Sequence, residues 1–328
     1  MGNIKHSVEE LIGNTPLLEL DNYEKTFGID ARILVKVESL NPYGSLKDRI
    51  AVAMIDALEK NTDIKPGDYI VEASSGNTAI ALAAIARKRG YKSLFIVEQM
   101  TDERYKLLEA YDAEIVEVAD DPEMIQGMMN LNEDYMFHDF LNDYYGKKSK
   151  ESDVNYFPVS QWANKANPQI QYETTGQEII RDTDGKVDVF VSGIGSGGSI
   201  RGISDALREV NPDLEVVVFD SIPEEPDSLI GVHKVEGANP ALFPLHVSEK
   251  PGLYNSVFPV TKEQAYQTAN DVGKTEGIMF GVTTGAAVYL AAQLARKPEY
   301  AGKTILTIAY DDVTKYLTTD LIASQYRR

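Results

Sequence analysis

The sequence predicts an α/β protein with parallel sheet, arranged in two units, and three observations carry that prediction. Short apolar segments rich in Val and Ile recur without clean polar alternation, as buried parallel strands do. Helical patterns fill most of the gaps between them, which makes the repeat βα. Two such runs flank a more irregular, polar stretch from Asp120 to Ser152. A chain of 328 residues fits about two domains with ample length to bury a core.

In chain order, Ile33–Val37, Tyr69–Glu72, Ser93–Glu98 and Glu114–Val118 read as the strands of the first run. The middle stretch opens on Asp121-Pro122. It continues through an aromatic patch (Tyr135, Phe137, Phe140, Tyr144, Tyr145), read as packing plus a surface loop, and closes on the charged tract Lys147 to Ser152. The boundary between units falls near Val159 to Lys165. Val187–Ser192, Leu214–Phe219 and Thr304–Ile308 are the strands of the second run. The longest apolar run, Ala79 to Ala86, is far too short to span a bilayer, so no membrane association is expected. No signal-peptide pattern is present, and Met1-Gly2 fails the myristoylation pattern because position 6 is His6. A cytoplasmic location is expected.

Composition removes several chemistries. A net charge of −19 repels phosphate backbones, which argues against a nucleic-acid partner. The absence of cysteine excludes disulfides, thiolate catalysis and zinc–thiolate sites. His6, His138, His233 and His246 are scattered, with no His-Glu-x-x-His pair and no acidic calcium-type loop, so no metal site is expected.

Three kinds of loop carry chemistry. Asn41-Pro42-Tyr43-Gly44-Ser45-Leu46-Lys47-Asp48-Arg49 joins the strand Ile33–Val37 to a helix over Arg49–Lys60, which places Lys47 where a loop enters a helix. Partial positive charge there disfavours the ammonium, so Lys47 is a candidate nucleophile toward a carbonyl. Ser74-Ser75-Gly76-Asn77-Thr78-Ala79 and Thr283-Thr284-Gly285-Ala286-Ala287 each place hydroxyls and glycine at the start of an Ala-rich helix. Plain N-capping accounts for either one taken singly. Gly193-Ile194-Gly195-Ser196-Gly197-Gly198-Ser199 follows a strand and opens a helix, so its N–H groups and the helix dipole can converge on a phosphate. Its spacing also satisfies the dinucleotide fingerprint, and Asp220 stands about where a ribose-binding acid would, so a nicotinamide-dependent dehydrogenase is a competing reading. Against it, the loop lies past mid-chain, and Ser196 and Ser199 suit a compact phosphate monoester. A lysine amine, a phosphate nest and hydroxyl-bearing helix starts together match the needs of pyridoxal 5′-phosphate.

These residues resemble the fold-type II pyridoxal-phosphate β-replacement enzymes, the cysteine synthase (O-acetylserine sulfhydrylase) and cystathionine β-synthase family, over nearly the whole chain. Ile12-Gly13-Asn14-Thr15-Pro16-Leu17 is similar to the family's N-terminal signature, and Asn41 to Arg49 to its lysine loop. The resemblance implies two α/β domains with twisted, mostly parallel sheets, as in the tryptophan synthase β fold. It places the cofactor in the cleft between 1–12 with 36–163 and 13–35 with 164–328. It implies Lys47 as the Schiff-base residue and base for the α-proton, and Asn77 on the cofactor's 3′-oxygen. Ser74, Ser75, Thr78 and Gln161 would contact the substrate carboxylate. Gly195, Ser196, Gly197, Gly198 and Ser199 would hold the phosphate, and Thr283 would face the pyridine nitrogen. A neutral hydroxyl there makes the ring a weaker electron sink, which favours β-elimination to an aminoacrylate over transamination.

The implied function is formation of L-cysteine from O-acetyl-L-serine and sulfide by a homodimer acting on a small amino-acid substrate. Sister reactions are cystathionine or lanthionine synthesis and cysteine desulfhydration. A non-catalytic binding module is opposed by intact Lys47, Asn77 and Gln161. Departures from the family pattern concentrate near the β-position: His233 to Pro240 in place of a Gly-rich loop, Ala309 to Tyr316 near the ring, and an acidic stretch from Asp220 to Asp227. One of Asp220, Asp227, Asp311 or Asp312 is a candidate base on an incoming nucleophile.

Overall fold

The computed structural model describes residues 4–322, except position 99 and, in one loop, 223–228, 230–231, 233–234 and 236–237. Among the described residues the strands are β1 (Leu17–Glu19), β2 (Arg32–Val37), β3 (Tyr69–Ala73), β4 (Lys92–Val97), β5 (Glu114–Glu117), β6 (Tyr156–Pro158), β7 (Val189–Ser192), β8 (Glu215–Ser221), β9 (Ser256–Val260) and β10 (Thr304–Ala309). They form a six-stranded sheet ordered β1-β2-β10-β7-β8-β9 and a four-stranded sheet ordered β5-β4-β3-β6. Every pairing is parallel except β1 with β2. The fold class expected from the βα repeat is therefore present.

Burial explains why. β10 lies between β2 and β7, and all of Thr304–Ala309 is buried, so an unbroken apolar strand is the stable choice there. The helix Val282–Ala295 is buried on nearly every side, under the six-stranded sheet and against the helix Lys262–Glu276. Gly285 permits that crossing: a Cβ on it would lie 2.1 Å from the Ala265 carbonyl oxygen.

Strand ends differ from the expected ones by one to two residues, and three strands were not anticipated. β1 and β6 are three residues long, and β9 carries Pro259 on a sheet edge, so none has the length or apolar run of a central strand. The larger correction is the middle stretch. It holds two helices, Pro122–Met128 and Phe137–Lys150. Asp121 caps the first by accepting the Met124 N–H at 3.0 Å. The aromatic patch is the buried face of the second: Phe137, Phe140, Tyr144 and Tyr145 pack on the small sheet, where Tyr69 and Tyr156 stack at 4.8 Å. The lysines of the charged tract occupy its last turn, where cations face the carbonyl end of the helix dipole.

Ligands in open parallel sheets gather at the carboxyl ends of strands. Here β2, β3, β7 and β10 all end at one place. Their following loops, Glu38–Leu46, Ser74–Gly76, Gly193–Gly197 and Tyr310–Asp312, converge on a single cavity between the two sheets. Among the described residues, no helix is long and apolar enough to cross a membrane.

Candidate active site

Lys47 is the first residue of the helix Lys47–Asn61, and a tight loop fixes it there. The Asn41 amide donates to the carbonyls of Glu38 (2.9 Å) and Ser45 (3.1 Å), while its oxygen accepts the Gly13 N–H at 2.8 Å. Gly44 takes a φ of +81°, which favours glycine. Asp48 accepts the Tyr43 N–H at 2.6 Å and closes the turn. The Leu46 N–H donates to the Tyr310 carbonyl at 3.1 Å, which lays the lysine loop beside the end of β10. Burial pushes the Lys47 ammonium down to about 8, with the carboxylates of Asp311 and Glu72 opposing the shift. About a tenth of the side chain is therefore neutral amine at pH 7, far more than for an ordinary lysine.

Opposite Lys47, the end of β3 delivers Ser74, Ser75, Asn77 and Thr78 to the cavity wall. The Ser74 and Ser75 hydroxyls accept the backbone N–H groups of Gly76 (3.3 Å) and Glu98 (3.1 Å), so both serve the loop's own geometry. Thr78 donates its hydroxyl to Gln161 Oε1 at 2.8 Å. Glu72 sits beneath this loop and accepts N–H groups from Ala73 (3.0 Å) and Gln161 (2.9 Å). Burial raises its carboxyl to about 8.

The third wall is the glycine loop after β7. Gly195, Ser196, Gly197 and Ser199 line the cavity, while Gly198 begins the helix Gly198–Val210 behind it. The loop is cradled too closely for side chains: a Cβ on Gly197 would fall 2.6 Å from Val247 Cγ2, and one on Gly198 1.9 Å from Asn167 Oδ1. Asn167 donates to Ser196 Oγ at 2.9 Å and to the Gln161 carbonyl at 2.8 Å. His246 Nε2 lies 3.1 Å from that same carbonyl, and burial holds the imidazole neutral, lowered to about 4. The floor is Thr283, Tyr310 and Asp311. The Tyr310 hydroxyl lies 3.0 Å from Ser192 Oγ and accepts the Gly193 N–H at 3.1 Å, which ties the end of β10 to the start of the glycine loop.

The cavity has a volume of about 610 Å³, within the usual range for a small-molecule site. It brings together Lys47, Ser74, Ser75, Asn77, Thr78, Gln161, Thr283 and the glycine loop. These residues fit pyridoxal 5′-phosphate on structural grounds. Lys47, its ammonium lowered by burial to about 8, faces a loop in which Gly197 and Gly198 leave no room for a Cβ, and Asn77 Oδ1 is buried without a hydrogen-bond partner. The four acids separate. Asp311 lines the cavity and is buried. Asp312 caps a short turn by accepting the Thr314 N–H at 2.8 Å. Asp220 accepts the N–H groups of Ser221 (2.8 Å) and Val235 (2.9 Å), which turns it away from the ribose role. Asp227 lies outside the described residues, as do His233, Lys234, Glu236 and Gly237. Glu72, Asn167, His246 and Arg104 were not anticipated as parts of the site. Glu72 and His246 reach Gln161 across 89 and 85 residues, Asn167 reaches Ser196 across 29, and Arg104 lines the cavity from a helix of its own, so no local motif marks them.

The family model described as pyridoxal-phosphate dependent enzyme matches residues 8–311. The chain is 36% identical over 323 residues to a cysteine synthase of Staphylococcus aureus, covering 96% of each protein. Among solved structures, a hydrogen sulfide-producing enzyme from Fusobacterium nucleatum superposes with a TM-score of 0.79 at 32% identity, over 97% of this chain and 99% of that one. An O-acetyl serine sulfhydrylase isoform 3 from Entamoeba histolytica gives 0.79 at 30% identity, over 98% and 92%.

Proposed function

Because the chain belongs to the pyridoxal-phosphate dependent enzyme family, we propose that it replaces the β-substituent of a serine-type amino acid, forming L-cysteine and acetate from O-acetyl-L-serine and sulfide. The observation that carries this reading is the meeting of Lys47, the Ser74–Thr78 loop with Gln161, and the glycine loop around one cavity. Bound pyridoxal 5′-phosphate supplies an electrophilic carbon for amines and a conjugated ring that takes up electron density as the α-proton leaves.

The protein's own residues do the rest. Lys47 Nζ would hold the cofactor, and as a free amine it would be placed to take the substrate's α-proton. Gly195, Ser196, Gly197, Gly198 and Ser199 hold the phosphate with backbone N–H groups, hydroxyls and the helix terminus. Asn77 would orient the ring by a hydrogen bond to its 3′-oxygen. Ser74, Ser75, Thr78 and Gln161, with the N–H groups that open the helix Asn77–Arg89, orient the carboxylate. Thr283 lines the cavity and would offer the ring nitrogen a neutral hydroxyl, which would favour loss of the β-substituent over transamination. We place the two domains at 1–12 with 36–163 and 13–35 with 164–328, and the working form as a cytoplasmic homodimer.

A second reading is β-elimination or a sister β-replacement that releases sulfide. The likeness to the hydrogen sulfide-producing enzyme of Fusobacterium supports it, as does the Asp311 carboxyl in the cavity floor. The deciding experiment is turnover of O-acetylserine, O-phosphoserine, serine and cysteine, with and without sulfide or homocysteine, read by product mass. Cysteine from O-acetylserine and sulfide is the expected main product. Lys47→Ala is expected to lose the visible cofactor band and at least a thousandfold in turnover. A Lys47→Ala protein that keeps both band and turnover overturns the assignment.

A further inference from the structure

We infer that Arg104 recognises an oxyanion carried by the group exchanged at the β-carbon, either a phosphate that leaves or a carboxylate on the nucleophile that enters. The inference deepens the functional reading above and rests on it.

Arg104 lines the same cavity as Lys47 and is 3% exposed. A buried guanidinium is normally paired with a carboxylate, because its charge is costly away from water. Arg49 follows that rule, held by Glu38 and Glu178 at 2.7 Å each. Arg104 does not. Its Nε is buried with no hydrogen-bond partner, and among the described residues no carboxylate oxygen lies within 4.0 Å of its guanidinium. Two carboxylates line the cavity, Glu98 and Asp311, and neither pairs with it. Glu98 is exposed to water. Asp311 gives its Oδ2 to the Asn77 amide (2.7 Å) and the Tyr316 hydroxyl (2.8 Å). Its Oδ1 lies over Gly281, where a Cβ would come within 2.0 Å of it.

The neighbouring backbone holds the guanidinium in place. Thr101 donates its hydroxyl to the Lys315 carbonyl at 3.1 Å, and Glu103 accepts the Thr318 N–H (2.6 Å) and hydroxyl (3.0 Å). These bonds flank Arg104 and pin the start of the helix Asp102–Ala110 to the segment after β10. The guanidinium carbon then lies 5.2 Å from the centroid of the buried Tyr316 ring. A planar fork fixed against a ring is preorganised for bidentate pairing with phosphate or carboxylate.

Place in the fold narrows the anion. The cofactor phosphate has the glycine loop after β7 in the large sheet, whereas the helix of Arg104 follows β4 in the small one. The α-carboxylate has the Ser74–Thr78 loop and Gln161. The remaining part of the reactants is the group on the β-carbon. Departing and entering groups use the space beyond that carbon in turn, so one cation serves either.

The test compares matched pairs of reactants on the full-length holoenzyme, by initial rate and product mass. One pair varies the leaving group, O-phosphoserine against O-acetylserine, each with sulfide. The other varies the nucleophile offered to O-acetylserine, mercaptoacetate against 2-mercaptoethanol. In Arg104→Gln the kcat/KM ratio of anionic to neutral member should fall about ten- to hundredfold in one pair, and that pair says whether the anion leaves or enters. Arg104→Lys keeps the charge without the fork and should lose about threefold. It carries the test if Arg104→Gln does not fold. General damage to the fold or to cofactor binding lowers both members alike and leaves the ratio in place, as would a contact with the α-carboxylate. Unchanged ratios in both pairs overturn the inference, as does a wild type that accepts neither anionic member. A wild type that turns over no member of either pair overturns the functional reading instead.

Discussion

Gln161 is the residue through which the two halves of the site touch. Its N–H goes to Glu72, its Oε1 accepts from Thr78, and its carbonyl accepts from Asn167. Asn167 in turn donates to Ser196 in the glycine loop. A chain of three hydrogen bonds thus links the carboxylate loop to the phosphate loop. Asn167→Ala leaves Ser196 Oγ without this donor, while the Gln161 carbonyl keeps His246 Nε2 at 3.1 Å, and an unsatisfied buried group costs about 1–3 kcal/mol. We expect about a tenfold or larger loss of pyridoxal 5′-phosphate affinity by equilibrium dialysis, and a raised KM for the amino acid. Unchanged cofactor affinity would mean that Ser196 does not depend on Asn167. Lys47, Asn77 and the glycine loop were legible because each stands in a contiguous motif whose chemistry is local. Asn167 and Glu72 were not, because their meaning lies in partners 29 and 89 residues away.

At the scale of elements, legibility followed burial. β10 and β7 are buried throughout, so the central part of the large sheet could be read from apolar runs alone. The helix Phe137–Lys150 shows the opposite case. Its aromatic residues at 137, 140, 144 and 145 keep helical spacing, but the surrounding polar residues and the Lys-rich end disguised it as a loop. Close packing between elements was also hidden in single glycines. Gly285→Ala places a methyl 2.1 Å from a backbone oxygen of the helix Lys262–Glu276, and backbone yields less readily than a side chain. The expected cost is about 1–3 kcal/mol, seen as a lower urea midpoint at unchanged slope. Because Gly285 lies two residues beyond Thr283, cofactor binding should weaken as well. A variant as stable as wild type would show that the two helices separate at little cost.

Across the whole molecule, four buried charges tie the N-terminal segment and β2 to the helices that carry the site. Arg49, two residues past Lys47, pairs with Glu38 (2.7 Å) and Glu178 (2.7 Å), and Lys36 pairs with Glu178 at 2.8 Å. Glu178 also accepts the Asn14 N–H at 3.0 Å, which recruits the Gly13–Asn14 turn. Burial works to raise the Glu178 carboxyl, but Arg49 and Lys36 overcome it and hold the group at about 2. A carboxyl depressed in the folded state contributes stability above its unfolded value of 4.5, and that contribution fades as pH falls toward about 2. The shift corresponds to about 3 kcal/mol. Such a network is no more stabilising than a well-packed apolar core, yet removing one member strands its partners. Glu178→Gln should therefore cost about 3–5 kcal/mol in urea unfolding at pH 7. It should also flatten the acid limb, because the variant no longer carries the group that gains a proton on unfolding between pH 4.5 and 2. Since Arg49 shares a helix turn with Lys47, the same variant should loosen cofactor attachment before global unfolding, read as loss of the visible band at lower urea than loss of helical signal. Wild-type stability at pH 7 together with an unchanged acid limb would show that the network is dispensable, and that Asn41, Asp48 and the Leu46–Tyr310 hydrogen bond suffice to hold the lysine loop.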